Sequence, residues 1–97
     1  QPEWRAASRG FRAGLREDGW AVPDGDSPIV PVRLDDEEAA LRLAEALRAE
    51  GIWTAAVRPP TVPAGTSRLR LSLKRTFAPA DAARMRAAMA RWRAAER

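Results

Sequence analysis

The sequence predicts an α+β fold: a small, mostly antiparallel three-stranded sheet with helices on one face, in the order α-β-α-β-β-α. Apolar residues recur every three or four positions in three segments, which is typical of amphipathic helices. Residues 68–73 alternate strictly as R-L-R-L-S-L, which is typical of a half-buried strand. A strand, a helix and another strand precede them, so we expect this last strand to insert between the first two and run antiparallel to both.

The first third of the chain predicts a helix, a turn and an edge strand. The helix covers 2–17, and Gly19 is the residue that terminates it. Its apolar stripe consists of Trp4, Ala7, Phe11 and Leu15. Residues 20–28 hold two prolines, a glycine and two aspartates, which is typical of a turn. Residues 29–34 then alternate as a strand, and Pro31 places that strand at a sheet edge because proline has no N–H to donate.

The middle of the chain predicts a capped helix, a second strand and a stiff connection. In residues 35–51, Asp35 or Asp36 can cap the first turn, and the final glycine can adopt a left-handed C-terminal cap. The expected buried face consists of Ala40, Leu43, Ala44 and Leu47. Residues 52–58 resume strand character, and we expect Trp53 among them to pack against its neighbours. The run RPPTVPAGTS follows, a long connection that its prolines stiffen.

The last third predicts the central strand and a terminal helix. In residues 68–73 the leucines point inward, so Arg68, Arg70 and Ser72 share the opposite face. A helix over 79–94 presents an apolar stripe that consists of Ala82, Met85, Met89 and Trp92. We expect the helices to cover the leucine face, which leaves the arginine face open.

Composition excludes several classes of chemistry. The chain has no cysteine and no histidine, so it lacks disulfides, a thiolate nucleophile and the commonest zinc ligands, and we expect no metal site. Lys74 is the only lysine. No stretch approaches the ~20 apolar residues of a membrane span, so we expect a cytoplasmic protein without a membrane partner.

The size of the core predicts a piece that depends on a partner. A chain of 97 residues forms one domain at most, and 21 of its 44 apolar residues are alanine. The chain begins with Gln1, not methionine. Such a start indicates either the removal of an expression tag or a piece of a longer chain. We expect an ordered piece that packs against something else.

The arginines of the predicted central strand are candidate anion ligands. A guanidinium offers a planar fork that matches a carboxylate or a phosphate through two parallel hydrogen bonds. The neighbouring connection carries Thr61, Thr66 and Ser67, and ordered connections often hold binding residues. Alternating arginine and leucine usually indicates a plain solvated sheet face, so the spacing alone favours that interpretation and leaves an anion site as the alternative.

The run VRPPTVPAGTSRLRLSL, residues 57–73, resembles the C-terminal signature of the α-oxoamine synthases, pyridoxal-phosphate enzymes of fold type I. Residues 27–60 also have the order and spacing found there. The resemblance implies a single C-terminal small domain over 1–97, with a leading helix at 1–19 and a sheet-and-helix core at 27–97. Members condense an amino acid with an acyl thioester and release CO2. The sequence motif R-P-P-T-V-P favours the biotin-pathway branch of the family, which joins L-alanine to a pimeloyl thioester.

The resemblance also implies residue roles. Arg70 is the second arginine of the R-L-R motif, which binds the substrate carboxylate in the family, and Thr61 is the substrate-contacting threonine of R-P-P-T. Arg58 and Arg68 belong to the same motifs and are expected to support them. No catalytic, cofactor-binding or metal-binding residue is expected in this chain, and Lys74 is expected to be a surface lysine.

The resemblance places the remaining parts of the enzyme outside this chain. The Schiff-base lysine of the family lies in a larger preceding domain. Pyridoxal 5'-phosphate is therefore expected in the full-length parent and not as a covalent group here, and the chain alone is expected to be inactive. The implied partners are that large domain, a second copy in a homodimer, and the small-molecule substrates.

Three other functions stay open from the sequence. Another α-oxoamine synthase or a class II aminotransferase would share the same motifs. A stand-alone amino-acid-binding regulatory module could use Arg70 and Thr61 on a carboxylate ligand. A basic nucleic-acid-binding module has only a formal net charge of +4 in its favour, and we expect no nucleic-acid partner.

Overall fold

A computed structural model describes residues 2–57, 61, 65–74 and 76–96. The elements, in chain order, are α1 (Pro2–Glu17), β1 (Ile29–Asp35), α2 (Glu37–Ala49), β2 (Thr54–Val57), β3 (Ser67–Ser72) and α3 (Pro79–Ala95). The predicted α+β class and element order are confirmed. The second strand is shorter than the predicted 52–58 and begins at Thr54. Arg58 and the side chain of Trp4 lie outside the described residues.

The sheet has the predicted topology, with β3 between β1 and β2 and antiparallel to both. Pro31 lies on an edge strand, as its missing N–H requires, and it stands opposite Arg70. Leu69 and Leu71 stand opposite Val32 and Val30, and all four side chains are buried. One face of the sheet is therefore the core face.

Helix α2 covers that core face with the predicted residues. Its buried side chains are Ala40, Leu43, Ala44 and Leu47. Asp36 is the N-cap, and its side chain accepts a hydrogen bond from the Glu38 N–H at 3.2 Å. Asp35 instead lies at a bulge of β1 with a φ of 66°, and Gly51 follows the helix with a φ of 81°, as predicted for a left-handed cap.

The segment that joins α1 to β1 contributes to the core, which the turn-like residues 20–28 did not indicate. Trp20 and Val22 are both buried in the cluster that contains Phe11 and Leu15. The backbone N–H of Trp20 also donates to the Leu15 carbonyl at 2.9 Å, which ties the start of the segment to the last turn of α1. A region predicted as a turn therefore fills the space beside the sheet.

Arg12 fastens this segment to the rest of the chain. Its side chain is buried, with only 3% of the residue surface exposed. The guanidinium donates to the carbonyls of Pro23 at 3.1 Å, Ser27 at 3.1 Å and Ile29 at 2.8 Å. Desolvation is the main effect that lowers the pKa of Arg12, yet an arginine stays charged in proteins. The three carbonyls thus surround a buried cation.

Helices α1 and α3 meet at a two-pronged ion pair. Arg86 of α3 donates to Asp18 through Nε to Oδ2 at 2.8 Å and through a terminal nitrogen to Oδ1 at 2.9 Å. The Arg86 side chain crosses Gly14, where a Cβ atom would lie 2.6 Å from its terminal nitrogen. Gly14 therefore provides the space in which the ion pair forms.

Alanine substitutions at the two glycines of α1 should separate helix propensity from this close approach. Gly10→Ala should stabilise the chain by roughly 0.5–1 kcal/mol, because a Cβ at Gly10 meets no atom within 4 Å and alanine favours helix. Gly14→Ala should gain less, because its Cβ displaces Arg86. In an Arg86→Ala background the two substitutions should raise the free energy of unfolding, measured by urea denaturation, by equal amounts. A difference that persists would show that Arg86 does not cause the smaller gain at Gly14.

The ion pair also predicts an acid-dependent part of the stability. The hydrogen bonds from Arg86 are the main cause that lowers the pKa of Asp18 in the folded chain. Because the folded pKa lies below the unfolded one, the stabilisation is present above about pH 4 and is lost as pH falls below that value. Denaturation curves from pH 5 to pH 2 should show this loss in the natural chain and a smaller one in Asp18→Asn. If stability falls equally with pH in the two proteins, Asp18 is not the source of the acid-dependent loss.

The described helices are also informative about membranes. Within residues 2–57, 61, 65–74 and 76–96, none of the helices combines the length and the apolar character needed to cross a bilayer.

Candidate carboxylate-binding face

The sheet surface opposite the core is the candidate site, and we call it the open face. It consists of Ile29, Pro31, Arg33, Ala55, Val57, Arg68, Arg70 and Ser72. The predicted grouping of Arg68, Arg70 and Ser72 follows from the burial pattern of β3, in which these side chains are half-buried or exposed and the intervening leucines are buried. The open face therefore carries three arginines, of which two were predicted as site residues.

Two of the three arginines are already engaged by the chain itself. Arg33 and Arg68 stand directly opposite each other on β1 and β3, which places two like charges side by side. Arg33 donates from Nε to the Asp35 carboxylate at 2.5 Å. Arg68 turns back along the chain and donates to the Thr66 carbonyl from Nε at 3.2 Å and from a terminal nitrogen at 3.0 Å. Contacts within the chain therefore occupy donors of both forks.

Arg70 differs from both. Its side chain is exposed, and its cross-strand neighbours are Pro31 on β1 and Ala55 on β2, which carry no charge and no side-chain hydrogen-bonding group. No hydrogen bond or ion pair joins its guanidinium to another described residue. Arg70 thus offers an uncommitted guanidinium fork between two small neutral neighbours at the centre of the sheet.

The backbone beneath Arg70 is held from both sides. As the central strand, β3 is paired along both edges. The buried Thr54 hydroxyl also donates to the Arg70 carbonyl at 3.1 Å, and Arg48 of α2 donates to the Thr54 carbonyl from Nε and from a terminal nitrogen, at 3.3 and 3.1 Å. A rigid backbone lets a charged side chain meet its ligand with less loss of conformational entropy. Thr54 and Arg48 are not candidates on the sequence alone, since only the strand register reveals the link to Arg70.

The other predicted site residues lie in or beside the connection between β2 and β3. This connection leaves and rejoins the sheet at the pair Val57 and Arg68, one residue pair on the same face before Arg70. Thr61 is exposed within it. Arg58 lies outside the described residues, so only Thr61, Arg68 and Arg70 can be placed.

Lys74 is the only side chain of this chain that could form a Schiff base with pyridoxal phosphate. A covalent site needs a lysine amine next to the group that holds the substrate. Lys74 is the only lysine, is exposed, and lies in the turn after β3, where its carbonyl accepts from the Phe77 N–H at 2.9 Å. Lys74 follows Arg70 by four residues and lies beyond the end of β3.

The expectation that Trp53 packs against its neighbours is wrong. Trp53 precedes the first residue of β2, and 71% of its surface is exposed. The interior position next to it is filled by Ile52, whose N–H completes the end of α2 by donating to the Leu47 carbonyl at 2.9 Å. The strand pattern of 52–58 did not reveal that pairing begins only at Thr54.

The chain is similar to known enzymes over most of its length. It is 46% identical over 86 residues to a putative 8-amino-7-oxononanoate synthase of Magnetococcus marinus, a match that covers 89% of this chain and 22% of that protein. The chain thus spans about a fifth of the length of the curated relatives it matches.

Solved structures share the fold. A variant of the serine palmitoyltransferase of S. paucimobilis with a bound PLP–myriocin aldimine superposes with a TM-score of 0.79 and 33% identity, over 95% of this chain and 24% of that one. The 8-amino-7-oxononanoate synthase of Francisella tularensis superposes with a TM-score of 0.75 over 97% of this chain and 28% of that one, and its 21% identity supports the fold alone.

These likenesses confirm the resemblance that residues 57–73 indicated. The sequence model of the aminotransferase class I and II family matches residues 4–88, which includes α1, the whole sheet and much of α3. On that match, the chain belongs to the aminotransferase class I and II family.

Proposed function

We propose that this chain is the C-terminal small domain, over residues 1–97, of a pyridoxal-phosphate-dependent 8-amino-7-oxononanoate synthase. The parent enzyme condenses L-alanine with a pimeloyl thioester and releases CO2. In this proposal the chain supplies the substrate-carboxylate site, and a larger domain of the parent supplies the cofactor site. The likeness to 8-amino-7-oxononanoate synthases supports the reaction, and the open face supports the role of the chain.

The proposed role in binding the substrate carboxylate depends on Arg70. This residue combines an exposed guanidinium, two uncharged cross-strand neighbours and a backbone fixed at the centre of the sheet. Two parallel N–H donors bind both oxygens of a carboxylate and thereby fix its orientation, which a point charge does not. A fixed carboxylate orients the remaining substituents of the amino acid Cα, which is a positioning contribution to the reaction.

The other site residues act around this fork. Thr61 is exposed in the connection between β2 and β3, and we assign it a substrate contact. Arg68 supports the site indirectly, because its two hydrogen bonds to the Thr66 carbonyl fix the backbone where the connection enters β3. Arg58 is assigned a supporting role by its motif alone.

The proposal also names the partners of the chain. The large cofactor-binding domain would close over the open face, and a second copy would complete a cytoplasmic homodimer. A chain in which 21 of the 44 apolar residues are alanine is typical of a unit that packs against a larger one. The small-molecule partners would be L-alanine and the acyl thioester.

The size and chemistry of the intact gene product test the proposal. We expect a product several times longer than 97 residues that contains pyridoxal phosphate and releases CO2 only when L-alanine and a pimeloyl thioester are both present. The 97-residue chain alone, mixed with pyridoxal phosphate, should show no lysine-linked absorbance and no turnover.

Two results would overturn the proposal in different ways. A natural product of 97 residues that binds L-alanine without a cofactor would identify a regulatory amino-acid-binding module. A product of the expected length that condenses another amino acid, with no activity on L-alanine, would keep the family and remove the biotin-pathway assignment.

A further inference from the structure

Trp53 is the most exposed of the tryptophan side chains that the structure describes. Trp20 is buried, and Trp92 is half-buried against it with a ring-centroid distance of 6.4 Å, whereas Trp53 leaves 71% of its surface to solvent. A large flat apolar surface is ordinarily buried or used to bind a ligand.

A pocket of about 190 Å³ lies beside this indole. It is bounded by the segment between α2 and β2, the turn after β3 and the first turns of α3. Its apolar lining includes Ile52, Leu73 and Met85, whereas Trp53, Lys74 and Arg84 contribute an aromatic ring and two cations. The pocket therefore combines an apolar lining, an open aromatic ring and positive charge.

The charges of the pocket favour an anion. Lys74 is exposed, and no hydrogen bond or ion pair joins its amine to another described residue. One terminal nitrogen of Arg84 donates to the Glu50 carbonyl at 3.2 Å, and its other N–H groups remain available to a ligand. The carboxylate of Asp81 also lines the pocket, but it already accepts the Ala78 N–H at 2.9 Å at the start of α3.

We propose that this pocket binds a nucleotide. The base stacks on the Trp53 indole, and the phosphates are held by the Lys74 amine and the remaining Arg84 donors. Stacking on an exposed indole suits any planar base, and Lys and Arg are the usual phosphate ligands. The site uses neither Arg70 nor Thr61, so it is independent of the proposed synthase function.

Isothermal titration of the 97-residue chain at low salt tests the site with adenosine diphosphate, adenosine and pyrophosphate. Adenosine diphosphate should bind at least about tenfold more tightly than either of its parts, because only it uses both the indole and the cations. Trp53→Ala should weaken adenosine diphosphate at least about fivefold and leave pyrophosphate unchanged, and Trp53→Phe should restore part of the loss. Lys74→Ala should weaken adenosine diphosphate and pyrophosphate alike.

Arg42→Ala is the matched control. It removes one positive charge from α2, where Arg42 pairs with Glu96 and lies outside the pocket. Its affinity for adenosine diphosphate should stay within about twofold of the natural chain. Equal losses in Arg42→Ala and Lys74→Ala would show attraction to net charge alone and overturn the proposal. An unchanged affinity in Trp53→Ala, or no binding of adenosine diphosphate by the natural chain, would overturn it as well.

Discussion

Replacing Arg70 by lysine in the intact gene product is expected to raise the apparent KM for L-alanine by about 10- to 100-fold. Lysine keeps the positive charge but loses the second parallel donor, so the carboxylate is attracted and no longer oriented. The value of kcat should fall too, because a carboxylate that can rotate presents the Cα substituents in several orientations. Steady-state kinetics with the acyl thioester held at saturation measures both constants.

Arg33→Lys is the control for this experiment. Arg33 lies on the same open face and carries the same charge, but its fork is engaged by Asp35. Both kinetic constants should therefore stay within about twofold of the natural enzyme. If Arg70→Lys behaves as Arg33→Lys does, the carboxylate is bound elsewhere and the role assigned to Arg70 is wrong.

Replacing Arg12 by alanine is expected to destabilise the 97-residue chain by about 3 kcal/mol or more. The substitution removes one donor from each of three carbonyls and leaves a space where a buried side chain stood. The Ser27 carbonyl keeps a second donor, the Ser8 hydroxyl at 2.7 Å. For a chain of this size, the loss corresponds to a fall in Tm of roughly 12–24 °C. Thermal unfolding followed by circular dichroism measures it.

Arg9→Ala provides the comparison on the same helix. Arg9 is exposed and pairs with Asp26 at 3.6 Å, so its loss should change stability by less than about 1 kcal/mol. The difference between the two variants isolates the buried contacts of Arg12. A Tm for Arg12→Ala close to that of Arg9→Ala would mean that the segment joining α1 to β1 is held by the burial of Trp20 and Val22 alone.

Elements with a strong period could be predicted from the sequence. The buried face of α2 follows from apolar residues at helical spacing, and Asp36 and Gly51 mark its ends. The strand order follows from two local constraints. Pro31 excludes β1 from the centre, and the alternation of residues 68–73 requires one buried face.

The segment between α1 and β1 could not be predicted in this way. Its prolines, glycine and aspartates correctly indicate a bend, but no period shows that Trp20 and Val22 are buried. Arg12 is equally hidden, since its partners are backbone carbonyls that carry no sequence signal. Arg12 does follow Ser8 by one helical turn next to the apolar stripe, and a charged residue in that place is a signal that could have been used.

The candidate site was predictable in part. Alternation placed Arg68 and Arg70 on one face, but only the register shows that Arg70 has uncharged neighbours while Arg68 stands opposite Arg33. The register depends on pairing between distant segments, which a single sequence does not specify. Trp53 is exposed because it precedes β2, which begins at Thr54. The ends of helices and strands are the least predictable part of a fold.

The central claim is that Arg70 binds the carboxylate of the substrate amino acid. The most direct measurement compares the binding of L-alanine with that of ethylamine, which lacks only the carboxylate, in the intact natural protein and in Arg70→Ala. We predict that the natural protein prefers L-alanine and that Arg70→Ala loses most of this preference while its affinity for ethylamine stays within about twofold. A preference that survives the substitution, or equal losses for both ligands, would contradict the claim.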